Sequence, residues 1–562
     1  MKRFLILLLV LGLIAGCTAT AQAEPRGSEV FGTTTEGGNA ELAKLTASDG
    51  MASDRFGIGV AVSGDTALVG APAEDAQQGA AYVYARVGGA WIEQAKLVAS
   101  DRLASHKFGY SVALSGDTAV IGSSTAAAAA SPVHSHPTPG SAYVFERVGE
   151  TWIEQAKLTA PDGAYGDDFG SSVAVSGDTV VVGARAIDVG LNPDQGAAYV
   201  FARAGGAWTQ QAKLTASDGA ANDNFGIHVA LSGDTAVVGA YFDDVADNAN
   251  QGSAYVFTES RGMWTQENQL VASDGAADDN FGFWVDVSGD TGVVGAVFDD
   301  VNGNANQGSA YVFTQNGGTW PQQEHLVASD GASGDAFGRS VAVSGDTAVV
   351  GAQFHDVGGN ADQGSAYVFD RTGRTWPERT KLIASDGGAG DLFGVSVAMS
   401  GGTAVIGAGF HDVGINVHQG AAYVWKDPSN PHPPLSVTID VKPRDDTNRI
   451  RLSSTRPIPV AVLTTPTFDA ATVDPATVCF GDQPPAGGTT SYNQPPEVDA
   501  DCNEAHGRGH LKDADGDGDL DMVLHFETDE TGIDTGDGEA RLTGRTMGGV
   551  SIEGADSIQT KP

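Results

Sequence analysis

Between residues 40 and 425 the apolar positions come in short runs separated by Gly, Asp and Ser. The set at FGRSVAVS (337–344), DTAVVGA (346–352), GSAYVF (364–369) and WPERTKLIA (376–384) is typical. Each run is rich in Val, Ala, Tyr and Phe and is too short for a helix, so the pattern predicts four β-strands. Ser-Gly-Asp between the first two runs suits a tight hairpin, because Gly supplies a positive φ. Gly-Gly pairs such as Gly205-Gly206 and Gly317-Gly318 serve the same purpose between the third and fourth runs.

The set repeats. Phe-Gly recurs at Phe56, Phe108, Phe169, Phe225, Phe281, Phe337 and Phe393, at spacings of 52, 61, 56, 56, 56 and 56 residues. Four strands repeated seven times predict a seven-bladed β-propeller. The two ends fit a closed ring. The last unit lacks a fourth strand, while an orphan fourth-strand sequence, ELAKLTA (41–47), precedes the first Phe-Gly. The N-terminal strand is therefore expected to complete the last blade and remove the open edge. An open solenoid would not explain these complementary ends. The recurring Trp91, Trp152, Trp208, Trp264, Trp320 and Trp376 are read as packing between blades. The Phe of each Phe-Gly is read as core, and its Gly as allowing close backbone approach near the axis.

These segments resemble the FG-GAP repeat family in its bacterial form, on SGDTAVVGA and QGSAYVF, over roughly residues 40 to 425. The resemblance implies the propeller of integrin α-subunit heads. Integrin-type repeats often carry a DxDxDG calcium loop between the first two strands. Here that position holds only Ser-Gly-Asp, or Ser-Gly-Gly at 400–402, so calcium is not carried over to the blades.

Strand alternation puts two Asp-rich loops of each unit on one face. One lies between the second and third strands and includes Asp243, Asp244, Asp247, Asp299, Asp300, Asp356 and Asp412. The other joins successive blades, as in SDGAAND (217–223). They are candidates for a ligand face. The competing reading is that they cap turns through side-chain to backbone bonds, which would explain their repetition. A carbohydrate-active propeller should also show blade-specific departures; Arg185, His228, Trp284 and Arg339 are the candidates, with Trp284 and Arg339 on inner strands, and single deviations are more simply read as neutral drift. The insertion at 126–130 and His134, His136, His355, His411 and His418 are further irregularities, with scattered histidines more simply read as solvated.

Beyond a Pro-rich linker (426–435), residues 436–562 leave the repeat. Strand-like runs at 436–441, 458–463 and 522–526 predict a small β-sandwich-like domain, with Pro457 and Pro459 marking the second run as an edge. Cys479 and Cys502 are an expected disulfide, worth about 3 kcal/mol in the chain-entropy model. Asp513, Asp515, Asp517 and Asp521, with Gly518 for the bend and the Asp519 carbonyl, match a DxDxDGxxD calcium loop. The bidentate acid of a full EF-hand is missing, since Leu524 stands there. This part also resembles a C-terminal domain common in bacterial secreted proteins, on IDVKPRDDTNRIRLSS, DADGDGDLDMVLHF and TGIDTGDGEARLTG. The resemblance implies an accessory module.

Composition sharpens the picture. The chain of 562 residues has 71 acidic and 31 basic residues, a net charge of −40, which argues against nucleic-acid partners. Lys2, Arg3 and an apolar run form an export signal. Ile14-Ala15-Gly16-Cys17 resembles a lipobox, which implies cleavage after residue 16 and a lipid on Cys17, followed by a flexible leader (17–39). Ala21-Gln22-Ala23 offers a rival cleavage that would free the protein. No catalytic motif stands out from the repeat. The expectation is a noncatalytic surface or secreted binding protein with an extracellular protein or glycan ligand, a calcium ion in the C-terminal domain, and membrane contact only through the lipid. The alternatives are a lectin or polysaccharide-degrading propeller, and a structural envelope scaffold.

Overall fold

The computed structural model describes residues 41–102, 105–124 and 140–426, and beyond these, strand segments between 435 and 561. The expected cleavage sites, Cys17 and the leader, the blade 2 insertion with His134 and His136, nearly all of the linker, Cys502 and residues 513–520 lie outside the described residues.

Residues 41–426 form seven four-stranded antiparallel sheets, each a blade. Blades 1 to 6 run through residues 59–97, 108–158, 169–214, 229–270, 281–326 and 337–382. Blade 7 combines Phe393–Ser400, Thr403–Ala408 and Ala421–Lys426 with the N-terminal strand Glu41–Leu45. The predicted closure is thus realised: Ala43, Lys44 and Leu45 pair with Val424, Tyr423 and Ala422. First strands neighbour one another in unbroken order around the ring, so they are the innermost.

The core follows from this ring. Seven buried clusters each join two consecutive blades, and the one holding Leu45, Val405 and Val424 with Phe56, Val60 and Trp91 joins the last blade to the first. Each Phe of Phe-Gly packs against the third-strand Tyr of its own blade, edge-on as Phe393 on Tyr423 at 5.5 Å, or tilted as Phe225 on Tyr255. The six recurring Trp residues lie in or against these clusters, as their reading required.

Glycine lets the blades approach. Gly57 has φ +94°, and a Cβ there would lie 2.3 Å from the Ala421 carbonyl oxygen. One on Gly407 would lie 1.9 Å from the Gly57 oxygen. Gly407→Ala is therefore expected to destabilise the fold by at least about 1–3 kcal/mol, read by urea denaturation, because the obstacle is backbone on an adjoining blade. At the opposite end of the first strands the Ser-Gly-Asp turns are tied into a ring. Each serine hydroxyl accepts from the glycine N–H of the next turn, from Ser63 and Gly116 at 3.0 Å round to Ser400 and Gly64 at 3.1 Å.

Two details depart from the predicted strands. The fourth strands of blades 5 and 6 begin only at Gln322 and Glu378, because Pro321 and Pro377 have no N–H for the ladder. Blade 1 replaces the Asp-rich loop by a short left-handed turn at 74–77, where Asp75, Ala76 and Gln77 have φ of 46°, 56° and 65°.

In the C-terminal part, described strands pair into two four-stranded sheets and a parallel pair, Arg449–Arg451 with Gln559–Lys561. One orders Leu435–Ser436, Ser551–Ser557, Glu539–Thr546 and Val473–Gly481. The other orders Ile439–Val441, Ile458–Val462, Asp521–Phe526 and His510–Lys512. The strand with Pro459 is interior, not the predicted edge. Its pairing to Ile439–Val441 stops at Val460, so Pro459 lies beyond that ladder and its missing N–H costs no bond there. Asp521 opens a strand opposite Lys512. Cys479 lies in a strand paired with the one that holds Thr543, and the expected pairing with Cys502 falls outside the described residues.

Candidate functional site

The Asp-rich face is built largely for the fold's own needs. Asp244, Asp300, Asp356 and Asp412 each accept the backbone N–H six residues on, at 2.7–2.9 Å, and so close their own loops. Asp243 is buried and accepts from Ser253 Oγ at 2.5 Å, Tyr255 Oη at 2.9 Å and Gln269 Nε2 at 3.2 Å. Asp299 accepts likewise from Ser309 and Tyr311. Of the seven acids read as a ligand face, only Asp247, at an exposed loop tip, is outside such bonds.

The second loop set clasps neighbouring blades. Asp49, Asp101, Asp162, Asp330 and Asp386 each receive a Tyr hydroxyl from the next blade at 2.7–2.8 Å. A Lys of that blade, such as Lys96 on Asp49 at 2.6 Å, completes the clasp. Burial works against these carboxylates, but the Lys and Tyr hydrogen bonds, preceded at Asp386 by that of His411, hold each below its ordinary range. Blade 5 replaces Lys by His325, and blade 4 by Gln269. His355 and His411 are buried in the same clasps, with His355 on Ser365 and His411 Nδ1 2.7 Å from Asp391. His418 packs beside Phe410. Among the described residues, no three His, Cys, Asp or Glu side chains converge as a metal site.

The blade-specific residues behave differently. They converge at the axis, where the first strands begin on the Asp-rich face. His228 of blade 4 stacks on Trp284 of blade 5, ring centroids 4.0 Å apart and 28° between planes. Arg339 of blade 6 lies over Trp284 at 5.3 Å and over Phe283 at 4.9 Å. Phe283 meets Tyr241 edge-on at 5.5 Å, and Tyr241 neighbours Arg185 of blade 3. Arg185 pairs with buried Asp168 at 2.7 Å, whose other oxygen accepts from Ser124. Tyr110 of blade 2, 41 % exposed, is an electrostatic neighbour of both Arg185 and Arg339. All four departures named from the sequence therefore belong to one strip across blades 3 to 6.

Electrostatics within the strip are uneven. Burial lowers His228 to about 3, so the ring is neutral and its Nδ1 faces the Val285 N–H at 3.4 Å. Burial also lowers Arg339 from its usual value, opposed only weakly by the neighbouring Tyr110. No hydrogen bond or ion pair joins its guanidinium to any described residue, and Nη1 is sealed from solvent. Deeper along the same strand set, Asp286 stands where the other blades have Ala. Its Oδ2 accepts the Val343 N–H at 2.7 Å, and burial raises it to about 7.

Sequence reasoning did not reach Phe283, Tyr241, Tyr110 or Asp286. The repeat alignment carried a usable signal for Asp286, since Ala61, Ala113, Ala174, Ala230, Ala342 and Ala398 hold the equivalent position. It carried none for the residue before each Phe-Gly. Arg55, Lys107, Asp168, Asn224, Asn280, Ala336 and Leu392 all adopt left-handed backbone, φ 49–61°, though none is Gly. Register decides this: the following Phe donates to the preceding blade, as Phe56 does to the Gln419 carbonyl at 2.8 Å. The chain must turn sharply just before that bond.

Fold and axial strip together define a closed, single-chain seven-bladed β-propeller. The chain belongs to the FG-GAP repeat family, which it matches over residues 40–84, 91–145, 152–201, 208–257, 264–313, 320–369 and 376–425. No curated protein matches the chain.

Proposed function

We propose that the protein is a noncatalytic recognition protein, exported and held at the cell envelope by a lipid on Cys17, with the propeller as its binding scaffold. One observation carries the recognition part. The repeated acids of the Asp-rich face close loops and clasp blades, whereas the residues that break the repeat gather at the axis, where a ligand can be met by several blades at once. The accessory C-terminal domain binds one calcium ion through Asp513, Asp515, Asp517, the Asp519 carbonyl and Asp521, and Cys479 and Cys502 form its disulfide. The calcium assignment rests on hard oxygen donors at loop spacing.

The test uses the soluble chain from residue 24 onward on arrays of glycans and extracellular proteins, with product analysis of every bound glycan. Binding without turnover is expected; release of new sugar ends would transfer the protein to the polysaccharide-degrading class. Binding to nothing would favour a structural scaffold. Calcium titration by calorimetry is expected to show one site, lost in Asp515→Asn/Asp517→Asn. Unchanged heats in that variant would remove the ion from this loop.

A further inference from the structure

We propose that the axial mouth on the Asp-rich face is a subsite for a small, singly charged carboxylate ligand, with Arg339 as its anchoring contact. The inference rests on the recognition reading above and adds the chemistry of the ligand. In a chain of net charge −40, the cations Arg55, Lys107, Arg185 and Arg339 lie at the start of the first strands or beside it. Asp168 answers Arg185, but no carboxylate answers Arg339.

The rest of the strip holds Arg339 in place for such a contact. Phe283 and Trp284 support its guanidinium from below at 4.9 and 5.3 Å, and Trp284 is itself backed by the stacked His228. A neutral His228 adds no competing anion or second cation. With Nη1 enclosed, the planar guanidinium fixed against aromatic faces has Nε and Nη2 left to present edge-on, the pair that takes a carboxylate through two parallel hydrogen bonds. Half-exposed Tyr110 reaches toward the same point from blade 2 and offers a hydroxyl and a ring edge.

The surroundings select against a polyanion. Loops on the same face carry exposed acids such as Asp244, Asp247 and Asp300. A polymer of many carboxylates would meet repulsion there, while one carboxylate on a flat apolar body would not. The ligand class that fits is therefore an aromatic or similarly flat monocarboxylate.

Benzoate is the probe, with neutral benzamide and a polygalacturonate oligomer as comparisons, measured on the full mature chain by calorimetry at low salt. Benzoate is expected to bind at least tenfold more tightly than benzamide and than polygalacturonate per site. Arg339→Met should weaken benzoate at least tenfold, and Arg339→Lys less. Arg339→Met nearly conserves volume and removes an enclosed charge that meets no acceptor, so its melting temperature should match or exceed the parent's and exclude misfolding as the cause. Equal affinity for benzoate and benzamide, no benzoate binding, or full affinity in Arg339→Met would each overturn the subsite. Array ligands whose binding is untouched by Arg339→Met would leave the recognition reading standing while this subsite fell.

Discussion

A chain shortened to begin at Thr46 is expected to lose at least about 5 kcal/mol of stability against one beginning at Asn39, and to self-associate. The strand removed, Glu41–Leu45, supplies the outer edge of blade 7 from the N-terminal end of the ring. Leu45 is 1 % exposed and sits in the cluster that joins blade 7 to blade 1. Loss of such a side chain alone costs about 2–5 kcal/mol. With it go the pairing to Ala421–Lys426, the Lys44–Asp386 ion pair at 2.5 Å and the Glu41 contact to the Ser385 N–H at 3.1 Å. The third strand of blade 7 would then be an open edge, able to pair with another molecule. Thermal unfolding with light scattering after size exclusion measures both effects. A shortened monomer melting within a few degrees of the longer chain would show that closure does not depend on this strand.

Asp286→Asn is expected to stabilise the protein, and more so as pH rises. The carboxyl is enclosed in the ring, and burial holds its folded pKa at about 7, far above the ordinary Asp range. In the unfolded chain it ionises near pH 4. Between about pH 4 and 7 the folded state therefore retains a proton that the unfolded state has released, and stability falls as pH increases. Above about 7 both states are ionised and the penalty is constant. For a shift of this size it reaches at most about 4 kcal/mol, less where solvent enters the ring. Asn keeps an oxygen for the Val343 N–H and carries no charge, so the variant should match the parent near pH 4 and exceed it by the full penalty at pH 8. Urea denaturation at both values decides it; a difference independent of pH would show that Asp286 ionises freely in the fold.

Asp286 also shows what kind of information the sequence lacked. Its departure from Ala is visible in any alignment of the repeats, but its cost depends on how far the first strands enclose it. Arg339 and His228 lie 111 residues apart in number and two blades apart in space, with Trp284 between them. Nothing in local periodicity says that these three side chains lean inward at one level of the axis. The acids of the Asp-rich face illustrate the converse. Their repetition pointed to turn chemistry as well as to ligands, and the turn reading accounts for Asp244, Asp300, Asp356 and Asp412. What the repeat did not disclose is that Asp49 and its counterparts meet a Tyr and a Lys of the next blade, because those partners lie 33 to 56 residues on in a different sheet, or, for Lys44 on Asp386, 342 residues back.

The sequence by itself determined the strands, their order within each blade, the count of seven and the closure by the N-terminal strand. Those follow from period-two apolar runs, Gly-marked hairpins and a repeat whose two ends are complementary. Only the tertiary structure decided which residues meet across blades. The radius of the ring sets that, by bringing first strands from separate repeats within side-chain reach of one axis and leaving Arg339 on aromatic faces with no acceptor. Local pattern encodes a blade; the axial site exists only once seven of them have closed.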